Sequence, residues 1–148
     1  SAESQELAQV GPGMHAEFAL AYEKPLLEPF GLTGYGCCED LTGKLDDVLT
    51  IPHIRRISVS PWGNVDRCAE RLGNRAIFSW KPNPAALAAV NFDAGWVRAD
   101  IRQTIAIARA NGCILEMIIK DTHTCNHRPE RFDQWTQIAM QEAERAGG

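Results

Sequence analysis

The sequence predicts an α/β fold of four consecutive strand-helix units with parallel strands. Four short apolar segments alternate with segments whose apolar residues recur at helical spacing. The connections between the apolar segments are too long for β-hairpins, so we expect each strand to lie parallel to the next through a right-handed crossover. Each apolar segment also ends in polar or titratable residues, which is typical of the carboxyl ends of parallel strands, where such proteins keep their chemistry.

A leader and a helix precede the first strand. Residues 1–13 are polar and glycine-rich, and we expect them to form a flexible leader before a single domain that covers residues 14–148. Residues 14–30 carry apolar side chains close to helical spacing, with Pro25 as a kink or a break.

The next elements are a short strand, a short helix and a second strand. The first strand ends at residues 33–40, where two adjacent thiols and two carboxylates follow one another. The apolar spacing over residues 45–49 indicates a short helix that Pro52 stops. Residues 54–60 then alternate, with Ile57 and Val59 on one side, as expected for a strand.

The remaining elements follow from the same criteria. Asn64 is placed to cap a helix that ends at Gly73, where a residue with a positive φ angle is expected. The other predicted elements are strand three at residues 76–80, a helix at 92–110, strand four at 114–119 and a last helix at 130–145.

The composition is that of one globular domain. The chain has 148 residues, of which 45% are hydrophobic and 23% charged, so disorder is not expected. The net charge of -4 provides no basic surface for nucleic acid or an anionic membrane, and we expect neither partner. No apolar run approaches the roughly 20 residues of a membrane span, and no secretory signal is recognisable. We therefore expect a cytoplasmic protein, whose five cysteines are reduced thiols.

Two architectures fit four parallel units: half of a (β/α)8 barrel, or a small doubly wound sheet. The run after the first strand lacks the third glycine of a phosphate-binding loop and does not open into a strong helix, which disfavours nucleotide binding. A complete barrel takes about 250 residues, so four units in this length correspond to about half of one.

Four motifs resemble a known family. They are Tyr-Gly-Cys-Cys-Glu at 35–39, Arg-Arg-Ile-Ser-Val-Ser-Pro-Trp at 55–62, Phe-Ser-Trp-Lys-Pro-Asn-Pro at 78–84 and Lys-Asp-Thr-His-Thr at 120–124. Together they resemble the C-terminal half of uroporphyrinogen decarboxylase-like (β/α)8 proteins. The resemblance implies half of a TIM barrel. It is less specific for the reaction, since this superfamily contains both porphyrinogen decarboxylases and cobalamin-linked methyltransferases.

The methyltransferase members of that superfamily imply a zinc site. Those proteins hold zinc with a His-x-Cys pair and a later cysteine; Cys38 matches the first cysteine, Cys125 lies near the second, and the histidine position falls on Gly36. His123 is then the expected third ligand, with Cys37 and His127 as alternatives, because zinc accepts all of these side chains. The alternative is that Cys37 and Cys38 are inert packing residues, only one of which faces the barrel interior.

Three residues are candidates for acid and base catalysis. His123 titrates near neutral pH, Asp121 would raise its pKa if it lies nearby, and Glu39 adds a carboxylate beside the thiols. Alternatively, Asp121 caps a turn and His123 is simply exposed. The alternation of strand four also points Glu116 and Lys120 inward, where they would form a buried ion pair.

Aromatic and polar residues at two strand ends suggest a ligand or cofactor platform. Trp62 and Trp80 would form an apolar wall beside the cation of Lys81, and Asn83 is held in a rigid Pro-Asn-Pro loop. Such a platform suits an anionic or tetrapyrrole-like ligand. The alternative is that the tryptophans pack the barrel and that Asn83 shapes a turn.

The resemblance leads to three functional hypotheses. The first is that the complete parent is a zinc-assisted methyltransferase acting on a small-molecule substrate, with a thiol or a corrinoid that a partner protein supplies. The second is a metal-free decarboxylase of an anionic aromatic or tetrapyrrole substrate, and the third is a non-catalytic truncated or binding domain. The chain alone is expected to be inactive, because the N-terminal half-barrel is missing. We also expect a homodimer that covers the open edges and an apolar interior face.

Overall fold

The computed structural model describes residues 1–147, which form one four-stranded sheet and its covering helices. The strands are β1 (Thr33–Tyr35), β2 (Ile54–Val59), β3 (Ile77–Trp80) and β4 (Ile114–Met117). The helices are α1 (Pro12–His15), α2 (Ala21–Leu27), α3 (Leu45–Val48), α4 (Val65–Leu72), α5 (Ala85–Ala88), α6 (Ala94–Ala110) and α7 (Glu130–Gly147). A 3₁₀ turn (Gln5–Leu7) precedes α1, and a π-helical segment (Ala16–Leu20) joins α1 to α2.

The four strands are parallel and lie in the order β1-β2-β3-β4. Ser58 of β2 is in register with Ser79 of β3, which in turn is in register with Glu116 of β4. Because side chains alternate along a strand, this register aligns one polar row across three strands. The predicted fold class is confirmed: four βα units build the arrangement of half a (β/α)8 barrel.

The helices cover one face of the sheet, and the hydrophobic core lies between the two layers. Strand residues of this face are almost fully buried, as expected for β-branched and aromatic side chains in a parallel sheet. They pack against apolar residues of all the longer helices. The core includes Tyr35, Ile57, Val59, Phe78 and Trp80 from the strands and Leu20, Leu72, Ile101, Trp135 and Ile138 from the helices.

The predicted helix signals act locally as expected. The Asn64 side chain accepts a hydrogen bond of 2.9 Å from the Arg67 amide, which caps α4, and Gly73 has a φ of 49° at the other end. Pro25 does not break its helix: α2 continues through it, and the preceding turn is π-helical instead. A π turn changes the hydrogen-bond spacing just before the proline, which lacks an amide hydrogen.

Residues 1–13 were predicted as a flexible leader; in the structure Ala2 pairs with the edge of β1, and Pro12 and Gly13 already belong to α1. The Ala2 amide donates to Gly34 O over 3.2 Å, and the Gly36 amide donates to Ala2 O over 2.9 Å, in a parallel bridge. Lys44 holds the following turn, since its ammonium donates to the carbonyls of Leu7 and Ala8. The first residues therefore extend the sheet beyond β1.

The open face of the sheet carries both polar and apolar side chains, so the expected apolar interior is present only in part. The inward positions of the strands carry Arg56, Ser58, Ser79, Glu116 and Lys120. Ile77, Ile114 and Ile118 share this face with them, while Ile57, Val59, Phe78 and Trp80 point the other way, into the core. No helix within residues 1–147 combines the length and apolar composition needed to cross a membrane.

Candidate functional site

A polar cavity of about 330 Å3 lies on the open face toward the carboxyl ends of the strands. Side chains from four strands or strand ends line it, and residues 1–3 close it on the β1 side. The residues that determine its chemistry are Cys37, Arg56, Ser58, Lys81 and Lys120. A larger cavity of about 510 Å3 lies against α6 and α7, and none of the predicted site residues line it.

Lys81 provides a buried amine at the end of β3. Its side chain is almost fully buried, and Nζ donates to Ser79 Oγ at 2.9 Å and to Ser79 O at 3.3 Å. Burial, together with the positive charges of Arg56 and Lys120, lowers the pKa of Lys81 to about 8. The amine can therefore hold or release a proton near neutral pH.

Arg56 and Glu116 form an ion pair across β3. Arg56 Nε lies 2.5 Å from Glu116 Oε2, and both side chains are about one-third exposed. Burial opposes ionisation of Glu116, but hydrogen bonds from Ser79 and Arg56 outweigh it and lower its pKa. Glu116 and Lys120 do point inward as predicted, but the carboxylate pairs with Arg56 rather than with Lys120.

Gly36 turns the chain so that Cys37 enters the cavity. Its φ is 84°, and a Cβ at this position would lie 2.6 Å from a methyl carbon of Leu41, so a side chain is excluded. Cys37 Sγ then accepts a hydrogen bond of 2.5 Å from Lys120 Nζ. This contact raises the pKa of Lys120, which keeps the ammonium charged beside the sulfur.

Cys38 lies beside Cys37 but has different partners. Its sulfur is 3.3 Å from Cys37 Sγ and donates to Asp121 Oδ2 over 2.5 Å. Burial, followed by the hydrogen bonds to Asp121 and Cys37, raises the pKa of Cys38 to about 12. Asp121 adopts a φ of 55°, which aspartate tolerates better than most residues, and this turn directs its carboxylate toward Cys38.

Glu39 is a buried acceptor for two backbone amides. The side chain is 4% exposed, and its oxygens accept from the Cys37 amide at 2.9 Å and the Ser4 amide at 3.3 Å. Ser4 in turn joins a buried network in which the Tyr35 hydroxyl donates to Glu23 at 2.7 Å and lies 3.0 Å from His15 Nε2. In this structure Glu39 therefore fastens the cysteine loop to the first residues of the chain.

The other predicted metal ligands do not converge on Cys38. His123 is exposed, Cys125 is half-buried, and the polar contacts of Cys38 are with Cys37 and Asp121 instead. Over the described range 1–147, no three histidine, cysteine or carboxylate side chains form a group with metal-binding geometry. Of the candidate acid-base residues, only Asp121 contacts a thiol.

The four residues predicted to form a ligand platform do not lie together in the structure. Trp80 is 3% exposed and belongs to the hydrophobic core. Successive side chains of a strand point to opposite faces of the sheet, so Trp80 points into the core while the next residue, Lys81, points to the open face. Trp62 is 70% exposed and does not line the cavity. Asn83 Oδ1 accepts from the Ala85 amide at 2.9 Å and so shapes the turn before α5. Of these four residues, the structure brings only Lys81 to the cavity.

Sequence reasoning missed Arg56, Ser58 and Ser79 as members of the site. The signal was present: Arg56 and Ser58 are two residues apart, as are Ser79 and Lys81, so each pair lies on one face of its strand. Cys37 was considered only as an alternative zinc ligand, because two adjacent cysteines cannot be assigned to the two faces without the backbone turn at Gly36.

Comparison of the chain with known proteins identified no similar protein. No protein-family model, no curated protein and no solved structure matches the chain.

Proposed function

We propose that the chain forms the C-terminal half of a uroporphyrinogen decarboxylase-like barrel, and that its cavity binds an anionic small molecule. The order of the four motifs and the four parallel βα units support this proposal. The parallel bridge between Ala2 and Tyr35 is also favourable, because a barrel continues by adding parallel strands at such an edge.

The observation that carries the proposal is the group of three cations in one cavity. Arg56, Lys81 and Lys120 all line it, and Glu3 lines it as well. Two of the cations have carboxylate partners outside the lining: Glu116 pairs with Arg56, and Asp121 lies 3.8 Å from Lys120. The Lys81 ammonium contacts Ser79 rather than a carboxylate, and a cation in a partly enclosed site attracts an anionic ligand more strongly than the same charge on an open surface. Ser58 adds a hydroxyl that can hydrogen-bond to such a ligand.

This arrangement favours decarboxylation of an anionic substrate as the parent's reaction. Loss of CO2 leaves an electron pair on carbon, which a nearby acid must protonate. A pKa of about 8 suits Lys81 to this role, because a general acid works best when its pKa lies near the working pH. Arg56 and Lys120 would hold the carboxylates that remain on the substrate.

Ligand binding tests the proposal without requiring turnover. We expect an aromatic tricarboxylate to bind at pH 7 and its triamide to bind at least about tenfold more weakly, as measured by calorimetry. Binding should weaken as the pH rises through about 8, because Lys81 then loses its charge. Lys81→Met should weaken binding, whereas Arg75→Met, which removes an exposed cation outside the cavity, should not.

The chain alone should bind without decarboxylating, since barrel sites draw residues from strands around the full ring. Addition of an N-terminal half-barrel would be needed for turnover. Equal affinity for the tricarboxylate and the triamide would contradict the proposal and would favour a non-catalytic domain.

A zinc-assisted methyltransferase is the second candidate, and the adjacent sulfur atoms of Cys37 and Cys38 favour it. Zinc binds thiolates, and the Asp121 carboxylate lies against Cys38. In this case the chain's thiols would hold the metal, and a corrinoid would come from a partner protein. Elemental analysis of protein purified without chelator should give about one zinc per chain, lost in Cys38→Ala and retained in Cys113→Ala. Metal-free wild-type protein would exclude this candidate.

A further inference from the structure

The thiols of Cys37 and Cys38 form a pair with unequal surroundings. Their sulfur atoms are 3.3 Å apart, and both residues are half-buried in the loop that follows β1. Within residues 1–147, no other cysteine sulfur contacts a second sulfur in this way: Cys68 lies 3.6 Å from Thr42 Oγ1, and Cys113 donates to the Ala69 carbonyl.

The two thiols differ in their access to the cavity. Cys37 lines it and lies against the Lys120 ammonium, so its sulfur faces the region where an anionic ligand would bind. Cys38 does not line the cavity, and its thiol donates to Asp121. Cys37 Sγ is therefore accessible to a molecule in the cavity. Cys38 Sγ lies outside the cavity and has the Asp121 carboxylate as a proton acceptor.

We propose that Cys37 and Cys38 are a redox-active dithiol that reduces an anionic low-molecular-weight disulfide bound in the cavity. The ligand class rests on the anion-binding cavity proposed above, while the dithiol rests on the separate sulfur geometry. The Lys81 and Arg56 side chains supply the positive charge that the carboxylates of such a disulfide would contact.

The reaction proceeds in two exchange steps. The Cys37 thiolate attacks one sulfur of the bound disulfide; a mixed disulfide forms on Cys37, and the first small thiolate leaves and takes up a proton. Cys38 then passes its proton to Asp121 and attacks Cys37 Sγ, which releases the second small thiolate. This thiolate takes up the proton. Two protein thiols are oxidised to one Cys37–Cys38 disulfide, and one small disulfide is reduced to two thiols.

The product should be easily reversed. Consecutive α-carbons are about 3.8 Å apart, which is below the range of about 4.4–6.8 Å that disulfides normally span. A link between adjacent residues is therefore strained and readily reduced, which suits a switch better than a permanent bridge. While closed, it would also remove both sulfur atoms from any zinc site.

Mass spectrometry of the full chain can detect this chemistry directly. We expect reduced wild-type protein treated with glutathione disulfide to lose the mass of two hydrogens, with the new link mapped to Cys37 and Cys38. Cys38→Ser should instead accumulate a glutathione adduct on Cys37, and Cys113→Ser should behave as wild type. A reducing thiol should restore the starting mass.

The charge of the small disulfide separates this inference from the proposed function. Lys81→Met should slow exchange with glutathione disulfide about tenfold but leave the rate with the uncharged bis(2-hydroxyethyl) disulfide unchanged. A stable adduct on wild-type Cys37, a link to another cysteine, or unreactive thiols in folded protein would overturn the dithiol. If the tricarboxylate still binds in that case, the proposal of an anion-binding cavity is supported and the proposal of disulfide exchange is contradicted.

Discussion

Lys120 Nζ lies 2.5 Å from Cys37 Sγ, although 83 positions separate the two residues in the chain. They follow β4 and β1, which are the two outer strands of the sheet. Three inter-strand spacings of a flat sheet would hold these strands about 14 Å apart. The contact therefore requires the segments that follow β1 and β4 to approach one another across the open face, as they would if the strands curved toward a closed barrel. The Cys38–Asp121 hydrogen bond spans the same gap.

The two adjacent thiols should react with an alkylating reagent at different rates. The high pKa of Cys38, about 12, leaves only about one part in ten thousand as thiolate at pH 8. We expect iodoacetamide to modify Cys37 first, as resolved by fragmentation of the peptide that contains both. Asp121→Ala should speed the modification of Cys38, and Asp133→Ala on α7 should not. Equal initial rates at both sulfurs would contradict this assignment.

Glu39 should contribute to stability rather than to chemistry alone. Glu39→Ala would leave the buried Ser4 and Cys37 amides without their acceptor, at a cost of about 1–3 kcal/mol in the free energy of unfolding. Urea denaturation measures this loss. Glu28→Ala, which removes an exposed carboxylate after α2, is the matched control. An unchanged urea midpoint in Glu39→Ala would show that the first residues are not fastened through this side chain.

Lys81 should make stability rise with pH above neutrality. Its folded pKa of about 8 lies below its ordinary value of 10.5, so the unfolded chain binds more protons between these values. The charged amine costs the folded state up to about 3 kcal/mol below pH 8, and this cost disappears as the pH rises toward about 10.5. Urea midpoints measured at pH 7 and pH 9.5 should differ less in Lys81→Met than in wild type. A wild-type slope retained in the variant would refute the assignment.

Glu142 should make the packing of α6 on α7 sensitive to acid. Its carboxylate accepts hydrogen bonds from Arg102, Arg98 and Arg145, and the Arg102 contact contributes most to lowering its pKa to about 2. Because the folded pKa is depressed, the stabilisation is present above the ordinary value of 4.5 and is lost as the pH falls toward about 2.

The Glu142→Gln variant tests this pairing. We expect a lower urea midpoint than wild type at pH 7 and a smaller difference between the two proteins at pH 3. The matched control is Glu144→Gln, which neutralises an exposed carboxylate on the same helix. A difference that is the same at both pH values would mean that the arginines do not act through the carboxylate charge.

The homodimer remains a prediction, based on the open sheet edge and on apolar residues of the open face such as Ile114 and Ile118. The outer edge of β4 is unpaired, and Ile114 on this strand is 60% exposed. Sedimentation at micromolar concentration should show a dimer, which Ile114→Lys should weaken because a charge disfavours pairing at a strand edge. A wild-type monomer would remove the reason to invoke a partner copy.

The sequence by itself determined the α/β class, the order of the strands and the longer helices, and the direction in which side chains of β2 and β4 point. Hydrophobic periodicity and local caps such as Asn64 depend on neighbouring residues, so they can be recognised without a structure. The alternation of side chains along β4 correctly predicted that Glu116 and Lys120 point toward the interior. Trp80, by contrast, was assigned by its place at a strand end, while its parity along β3 places it in the core.

Only the tertiary structure decided which side chains meet. The segments that follow β1 and β4 bring Lys120 to Cys37 and Asp121 to Cys38, and neither pairing can be predicted from positions 83 residues apart. The turn at Gly36 determines that the Cys37 thiol enters the cavity. The register of β2 and β4 against β3 places Glu116 where it forms an ion pair with Arg56. Periodicity specifies the face on which a residue lies, whereas contacts also depend on strand curvature, loop conformation and side-chain reach.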